Sequence, residues 1–353
     1  MILKQRIHSF SNIEFFLNEF LTLDFHQSTE LCFPQHFYLE LEKIIETAFH
    51  HNGWFIKENT VHAITQWKNS LALDKLNTWV TPYHLQDTLQ EKRVGIIMAG
   101  NIPMVGFHDL ISVLISGHHA LVKLSSNDNQ LLPFFIKLLC FIEVEFEQKI
   151  TLVEKLEDFD AVIATGSNNT ARYFEYYFGK YSHIIRKNRT SVAVLKGDES
   201  EKDLENLGED VFRYFGMGCR NVSKLFIPED FDLNRFFKGV FPFQEIINNH
   251  KYKNNYDYHK AIFLMNQDTI IENGFLILKE DQGYHSPIGT LFYERYNDLN
   301  IVQKRLKKDS EKIQCIVGKN IFDDEIPFGH TQKPYLNQYA DGIDTLNFLK
   351  NLY

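Results

Sequence analysis

The pattern of apolar and polar positions predicts a helical first part of the chain. Apolar residues recur at helical spacing over residues 37–49 and again over residues 61–73. Ser11-Asn12-Ile13-Glu14 has the form of a capping box, which predicts a helix that begins there and ends near Leu23. Residues 1 to about 90 are therefore predicted to be mostly helical.

From Arg93 the pattern changes to short apolar strands separated by helices. Strands are predicted at residues 94–98, 120–124, 161–164 and 191–195. Helices are predicted between them at about residues 105–116, 129–147 and 168–178. Repeats of this length are typical of a parallel sheet with right-handed crossovers, so the predicted fold class is α/β.

A second unit of the same class is predicted after residue 200. Its expected elements are helices over 203–215 and 231–240 and strands near 222–227, 275–278 and 290–293. A chain of 353 residues is longer than one hydrophobic core usually supports. More than one domain is therefore expected.

Composition and charge narrow the class of protein. The chain is 44% hydrophobic and 24% charged, as an ordinary globular protein is. Its formal net charge of −9, without a long basic run, argues against nucleic-acid binding. No apolar stretch reaches the roughly 18 residues of a membrane span. Residues 1–12 lack the apolar core of a secretory signal. A cytoplasmic protein without a membrane span is predicted.

The cysteines and histidines predict neither disulfides nor a metal site. The four cysteines, at positions 32, 140, 219 and 315, include no C-x-x-C pair. The histidines lack the spacing of metal ligands on a helix face. A reducing cytoplasm is the simplest location, and it keeps thiols reduced.

Cys219 is the strongest candidate for a catalytic residue. It follows Gly216 and Gly218, which let the backbone approach a ligand closely, and it precedes the apolar strand that begins at Val222. A thiol in this position suits nucleophilic attack on a carbonyl, provided that its pKa is lowered. The alternative is a small buried core residue.

Three polar turns follow successive predicted strands. The first contains Asn101, whose amide suits an oxyanion donor or, alternatively, an ordinary helix N-cap. The second contains Lys123, Ser125 and Ser126, and the third is Thr165-Gly166-Ser167, which opens a helix. Turns of this kind suit phosphate and ribose groups. The ordinary G-x-G-x-x-G dinucleotide fingerprint is absent.

Five short motifs occur in the order in which one protein family has them. They are Met98–Pro103, Leu121–Ser126, Ala164–Ser167, Gly216–Cys219 and Ile326–Gly329. In turn, they resemble the P-W-N-F-P, V-x-K-P-S-E, F-T-G-S, G-Q-x-C and L-P-F-G motifs of the aldehyde dehydrogenase superfamily. Within it, the chain resembles the LuxC-type long-chain fatty acyl-CoA reductases, from about residue 93 to residue 350.

This resemblance implies an aldehyde-dehydrogenase-like fold, with a Rossmann-like parallel-sheet cofactor domain and a second α/β catalytic domain. The helical N-terminal region and the dinucleotide-binding domain are expected at residues 1–195, and the catalytic domain at residues 196–320. Residues 321–353 are expected to return to the cofactor domain or to an oligomer interface. The apolar run 346–349 would supply a strand there, in a homo-oligomer.

The resemblance also implies roles for single residues. Cys219 becomes the nucleophile, and Asn101, with the backbone N–H of Cys219, becomes the oxyanion hole. The cofactor would be held by the second and third turns, through Lys123, Ser125, Ser126, Thr165, Gly166 and Ser167. Asp281 and His285 lie near the family's acidic contact to the nicotinamide ribose, and the match does not choose between them.

Two departures from the family pattern refine the expected chemistry. Arg186 stands where the family has the glutamate that activates water to hydrolyse the thioester; a slipped alignment is the alternative. Ser126 stands where NAD-preferring relatives have a glutamate, which repels a 2′-phosphate. Ser126, Ser125 and Lys123 are able to bind that phosphate, so NADPH is the predicted cofactor.

Together these features predict a reductase that converts acyl-CoA, or an acyl-protein thioester, to a fatty aldehyde with hydride from NADPH. The resemblance implies an acyl-protein synthetase as a partner. Two alternatives stay open. One is an ordinary aldehyde dehydrogenase that uses NAD or NADP, and the other is a non-catalytic subunit of a fatty acid reductase complex.

Overall fold

The computed structural model describes residues 1–28, 30–87 and 90–352. The chain forms two compact units. Unit 1 contains residues 1–187 and the residues from Tyr335 on, and unit 2 contains residues 188–334. Both units combine helices with a mainly parallel sheet, which confirms the predicted α/β class.

In the described part of residues 1–92, four α-helices come before the first strand of unit 1, where the apolar pattern predicts a mostly helical region. They are α1 (Leu3–Thr22), α2 (Gln35–His51), α3 (Lys57–Ser70) and α4 (Leu73–Val80). The predicted start of the first helix at Ser11 is wrong. Helical spacing of buried residues already begins at Ile7 and Phe10, so α1 runs through the supposed capping box.

The sheet of unit 1 has five parallel strands in the order β3-β2-β1-β4-β5. The strands are β1 (Arg93–Ile97), β2 (His119–Lys123), β3 (Ile150–Leu152), β4 (Ala161–Thr165) and β5 (Ser182–Arg186). The helices between them are α5 (Phe107–Ile115), α6 (Leu131–Ile142) and α7 (Asn168–Phe178). The main core of the unit lies between the sheet and helices α1–α6.

The sheet of unit 2 has six strands in the order β11-β6-β7-β10-β9-β8, and only the β8–β9 pair is antiparallel. The strands are β6 (Thr190–Val194), β7 (Val222–Pro228), β8 (Ile270–Glu272), β9 (Ile277–Glu280), β10 (Thr290–Tyr296) and β11 (Ile313–Val317). The helices are α8 (Glu201–Phe212), α9 (Leu233–Val240), α10 (His250–Met265) and α11 (Leu299–Lys308). Separate apolar cores cover the two faces of this sheet.

The boundaries between the units differ from the predicted positions 195 and 320. Strand β6 pairs with β7 and β11, so the chain enters unit 2 at residue 188 rather than after that strand. Residues 321–334 also stay in unit 2, because Ile326 forms a bridge with Val317 and the following loop is bonded to α8. The chain returns to unit 1 at Tyr335.

The C-terminal apolar run is a helix, α12 (Thr345–Lys350), and the predicted strand is wrong. Leu346 and Leu349, three positions apart, fall on one helix face and are fully buried. The Asp344 side chain caps the helix by accepting a hydrogen bond from the Asn347 N–H at 2.9 Å. Among the described residues, no helix is long and apolar enough to cross a membrane.

Candidate active site

Cys219 lies in the short connection between α8 and the central strand β7 of unit 2. Its side chain is exposed, so the alternative of a buried core cysteine does not hold. The predicted helix over 203–215 ends early, at Phe212, because Tyr214 and Phe215 have positive φ of 54° and 59°. Gly216 continues this left-handed run with φ of 75°. Such a conformation costs about 1–2 kcal/mol for each non-glycine residue.

Hydrogen bonds of the Asn221 side chain stabilise this strained turn. Its Nδ2 donates to the carbonyl oxygens of Asp210 at 3.0 Å and Arg213 at 2.8 Å. Its Oδ1 accepts a hydrogen bond from the Gly218 N–H at 2.8 Å. The carbonyl of Cys219 itself accepts a hydrogen bond from Ser191 Oγ at 2.9 Å. We name residues 213–221 the thiol loop; both of its ends are hydrogen-bonded to the body of unit 2.

The loop that contains the late P-F-G motif is bonded to the same helix. The buried Asp210 carboxylate on α8 accepts hydrogen bonds from the N–H groups of Gly329 and Thr331, at 2.7 and 3.0 Å. It also accepts one from the Thr331 hydroxyl at 2.8 Å. Burial raises the pKa of Asp210 to about 6, although these hydrogen bonds favour the charged form. Asp210 thus contacts the loop of Gly329 and Thr331 through its carboxylate, and it contacts the thiol loop through its backbone carbonyl, which accepts from Asn221.

Residues 281–285, which contain the candidate ribose contacts, are bonded to the start of β7. Ser223 Oγ donates to the Tyr284 carbonyl at 2.7 Å, and the buried Lys224 ammonium donates to the Asp281 carbonyl. The Asp281 carboxylate accepts from Lys279 at 2.7 Å, and this hydrogen bond lowers its pKa. Burial lowers the pKa of His285. Asp281 is therefore the better candidate for an anionic contact.

In unit 1, the three predicted turns lie at one edge of the parallel sheet. Ile97 at the end of β1 is opposite Lys123 of β2 on one side and Ala164 of β4 on the other. From β1 the chain continues to β2 and then β3 on one side of the sheet. It then crosses to the other side of β1, where β4 and β5 lie, so the strand order changes direction at β1. Nucleotides bind at such a switch point, outside the carboxyl ends of the strands.

Contacts between the first two turns hold this edge together. A Cβ on Gly100 would overlap the Ser125 side chain, so only glycine allows the two turns to approach this closely. The Met104 N–H donates to the buried Asp128 carboxylate at 2.8 Å. The Asp128 N–H in turn donates to the Ser125 carbonyl at 3.2 Å. Burial raises the pKa of Asp128 to about 6.

The predicted cofactor residues surround this edge. Lys123, Ser126 and Ser167 are exposed, and Ser125, Thr165 and Gly166 are half-buried. Ser167 is also the N-cap of α7, since its Oγ accepts a hydrogen bond from the Thr170 N–H at 3.2 Å. An exposed cation, exposed hydroxyls and a helix N-terminus at one sheet edge fit a phosphorylated nucleotide.

Asn101 is not a helix N-cap. Helix α5 begins at Phe107 and its N-cap residue is Gly106, five positions beyond Asn101. The alternative of a capping role therefore does not hold, and Asn101 is a half-buried residue of the turn after β1. Asn101 belongs to unit 1 and Cys219 to unit 2, so their joint role in an oxyanion hole stays a prediction.

Arg186 lies at the end of β5, inside unit 1. Its Nη1 donates to the Asp109 carboxylate on α5, and its Nη2 donates to Thr345 Oγ1 on α12 at 3.0 Å. The Arg186 and Asp109 side chains are only 5% and 8% exposed. Arg186 therefore connects a strand and two helices of this unit.

Sequence reasoning missed Asn221, Asp210 and Asp128. Each is a buried polar residue whose partners are mostly backbone groups of a turn. The sequence offers one signal for such residues, which is a polar residue next to an apolar strand or within a helix. Asn221 directly precedes β7, and Asp210 lies within α8. Among the described residues, no cluster of His, Cys, Asp and Glu suits a metal ion.

The fold is that of the aldehyde dehydrogenases. The structure is similar to aldehyde dehydrogenase 21 from Physcomitrella patens in complex with succinate, with a TM-score of 0.70 and 12% identity over 100% of this chain and 84% of that chain. It is similar to an NAD-dependent aldehyde dehydrogenase from Sinorhizobium meliloti, with a TM-score of 0.64 and 10% identity over 90% and 70% of the two chains. For aldehyde dehydrogenase C from Pseudomonas syringae with NAD+ and octanal, the TM-score is 0.60 at 11% identity over 91% and 73%.

The sequence itself matches a narrower family. The family model described as acyl-CoA reductase (LuxC) matches residues 80–236, which contain the three turns and the thiol loop. No curated protein sequence matches the chain. The predicted resemblance to LuxC-type reductases of the aldehyde dehydrogenase superfamily is thus confirmed. The match and the fold support an oxidoreductase of the acyl-CoA reductase or aldehyde dehydrogenase kind.

Proposed function

We propose that this chain is an NADPH-dependent acyl-CoA reductase that forms fatty aldehydes through a thioacyl intermediate on Cys219. The observation that carries the proposal is the exposed thiol of Cys219, in a strained and hydrogen-bonded loop within the region that matches the acyl-CoA reductase family. Strained backbone of this kind occurs at sites where a reactive group must be held in one orientation.

The first step uses this chain's own residues. The Cys219 thiolate attacks the acyl carbonyl of the thioester and forms a tetrahedral oxyanion. Asn101 and the Cys219 N–H are proposed as its hydrogen-bond donors, each of which typically lowers the barrier by about 3 kcal/mol. The C–S bond to coenzyme A then breaks, and the coenzyme A thiolate takes up a proton from water. The acyl group remains on Cys219 as a thioester.

The edge of the unit 1 sheet fits the cofactor. The contact between Gly100 and Ser125 brings the first two turns together at this edge, and Lys123, Ser125 and Ser126 would bind the 2′-phosphate of the cofactor. Thr165, Gly166 and Ser167, at the N-terminus of α7, would bind the pyrophosphate. NADPH, when bound, would supply the hydride that converts the thioester carbonyl to the alkoxide of a hemithioacetal, with no proton added. Cys219 then leaves as thiolate and releases the aldehyde.

The environment of Arg186 supports reduction over hydrolysis. A general base for hydrolysis must reach water beside the thioester. The residue predicted at that position is instead a buried cation, paired with Asp109 in the core of unit 1. Without a carboxylate there, the acyl-enzyme is proposed to persist until it is reduced. Self-association, a cytoplasmic location and an acyl-protein synthetase partner are further parts of the proposal, supported by the family resemblance.

The test is covalent labelling followed by reduction. Incubation with a radiolabelled long-chain acyl-CoA should label the wild-type chain, and Cys219→Ala should abolish the label. Cys32→Ala, which removes another exposed thiol, should leave it unchanged. Addition of NADPH should release the label as aldehyde, with loss of nicotinamide absorbance. Labelling that persists in Cys219→Ala would refute the covalent step.

Two other outcomes would support the alternatives. Formation of a carboxylic acid from aldehyde and NAD, without reduction of acyl-CoA, would favour an ordinary aldehyde dehydrogenase. Failure to bind either NADPH or NADH in a fluorescence titration would favour a non-catalytic subunit. Assays with acyl-CoAs of varied chain length would then define the substrate.

A further inference from the structure

We infer that Asn221 is the positioning residue of the thiol: its amide holds the thiol loop in the one conformation in which Cys219 is able to react. The inference rests on the proposed function, because it assumes that Cys219 is the nucleophile. Asn221 is only 2% exposed, although it lies two residues from an exposed cysteine. Its side chain therefore points into unit 2 while that of Cys219 points out.

The hydrogen bonds of Asn221 join groups that the left-handed turn separates. The Asp210 and Arg213 carbonyls precede the turn, and the Gly218 N–H follows it. A third, longer bond of 3.5 Å runs from Nδ2 to the Val211 carbonyl. The Asn221 N–H also donates to the Gly218 carbonyl at 3.0 Å. The side-chain amide thus connects the end of α8 to Gly218, the residue directly before Cys219, and the backbone N–H of Asn221 bonds to the same glycine.

Only an amide side chain satisfies this arrangement. The carbonyls need a donor and the Gly218 N–H needs an acceptor, and asparagine supplies both on one planar group. Aspartate would direct an acceptor oxygen at the Asp210 and Arg213 carbonyls, and alanine would leave these groups unbonded. Leaving buried polar groups without partners is unfavourable, so the loop would relax to another conformation.

Relaxation is favoured because the loop is strained. Tyr214 and Phe215 each occupy a left-handed conformation that L-residues avoid. Without the amide, an extended or right-handed backbone at these positions becomes accessible. The backbone N–H and the sulfur of Cys219 would then leave the positions they share with the substrate carbonyl. A misplacement of about 1 Å typically costs about 100-fold in rate.

The test compares Asn221→Ala and Asn221→Asp with the wild-type chain. Both variants should reduce acyl-CoA with kcat lowered by about 10- to 100-fold, and KM for acyl-CoA should stay within about threefold. Hydrogen exchange in peptides that cover residues 213–221 should become faster, while exchange in unit 1 stays unchanged. NADPH binding should also be unchanged.

Gln303→Ala is the matched control. The Gln303 amide, on α11, also donates to a backbone carbonyl of a loop in unit 2, that of Ile321, at 2.8 Å. Helix α11 packs in the apolar core on one face of the sheet and α8 in the core on the other face, so kcat should stay at the wild-type value. Equal losses in Gln303→Ala and Asn221→Ala would indicate a general effect on unit 2 and overturn the inference.

The remaining outcomes are also decisive. A folded Asn221→Ala that keeps kcat within twofold of wild type would overturn the inference, as would failure of both Asn221 variants to fold, since Asn221 would then hold the unit rather than the thiol. If the wild-type chain forms no acyl-enzyme, the proposed function fails. The exchange of residues 213–221 would still show separately whether Asn221 holds the loop.

Discussion

Arg186 and Asp109 form an ion pair in the interior of unit 1, between the last strand of the parallel sheet and helix α5. Arg186 is the residue that the family resemblance is predicted to align with the hydrolytic glutamate of the aldehyde dehydrogenases. Arg186 is buried and bonded to Asp109 and Thr345, so its role within unit 1 is structural, and this determines what a substitution at Arg186 should do.

Arg186→Met should destabilise unit 1 by about 3–5 kcal/mol, because it leaves the Asp109 carboxylate buried without its cation. Adding Asp109→Leu to Arg186→Met should recover most of this loss, since the double variant buries no charge. Urea unfolding followed by tryptophan fluorescence measures this unit alone, because Trp54, Trp67 and Trp79 all lie in it.

Lys187→Met provides the matched control for this experiment. Lys187 forms an ion pair with Glu175 at 2.8 Å, but both side chains are about half exposed. Its loss should change the free energy of unfolding by less than about 1 kcal/mol. An Arg186→Met variant as stable as Lys187→Met would contradict the structural role of the buried pair. Introducing glutamate at Arg186 should likewise unfold unit 1 rather than create a thioesterase.

The cofactor preference is predicted to depend on Ser126. Ser126→Glu places a carboxylate at an exposed position at the end of β2, where it would repel a 2′-phosphate and accept hydrogen bonds from ribose hydroxyls. The ratio of kcat/KM for NADPH to that for NADH should fall by at least about tenfold, which corresponds to about 1.4 kcal/mol. The ratio is measured by nicotinamide absorbance with one acyl-CoA.

Asn129→Glu serves as the control for Ser126→Glu. It adds the same charge at an exposed position three residues later. A similar change of the ratio in both variants would indicate a general charge effect on NADPH. An unchanged ratio in Ser126→Glu would show that the adenosine end of the cofactor does not lie at the end of β2.

The fold class was predictable because buried parallel strands are short continuous apolar runs. Residues 94–98 and 161–164 show this plainly, and the strands lie within one residue of the predicted positions. Strand β5 was missed because Ser182, His183 and Arg186 interrupt its apolar run. The run 346–349 fits a strand or a helix equally, and only packing of Leu346 and Leu349 decides for a helix.

The candidate site was only partly predictable. Cys219 and the three turns could be identified because each combines a distinctive residue type with a place beside a strand. The residues that hold Cys219 and the three turns in position could not be identified from the sequence. Asn221, Asp210 and Asp128 bind backbone N–H and C=O groups, and every residue offers such groups whatever its side chain. Their role depends on the chain path, which the sequence pattern does not contain.

Asp128 should make the stability of unit 1 depend on pH. Burial raises its pKa from 3.8 to about 6 in the folded chain. The folded state therefore binds a proton as the pH falls through 6, whereas the unfolded state binds it only near 3.8. The free energy of unfolding should therefore rise by about 2–3 kcal/mol from this group as the pH falls from 7 to 4. Above the folded-state pKa of about 6, the buried carboxyl is ionised and lowers the stability of unit 1 by its full amount.

Asp128→Asn should remove this contribution while keeping an acceptor for the Met104 N–H. Unfolding free energies of unit 1, measured by tryptophan fluorescence between pH 4 and 7, should therefore rise less on acidification than in the wild-type chain. Groups other than Asp128 are the same in both chains, so the difference between the two curves isolates this carboxyl.

Asp160→Asn is a control within unit 1, because Asp160 accepts a hydrogen bond from the Arg93 N–H at an exposed site. Parallel curves for Asp128→Asn and wild type would show that the Asp128 carboxyl is not shielded from water, and that the contact between the first two turns is looser than described.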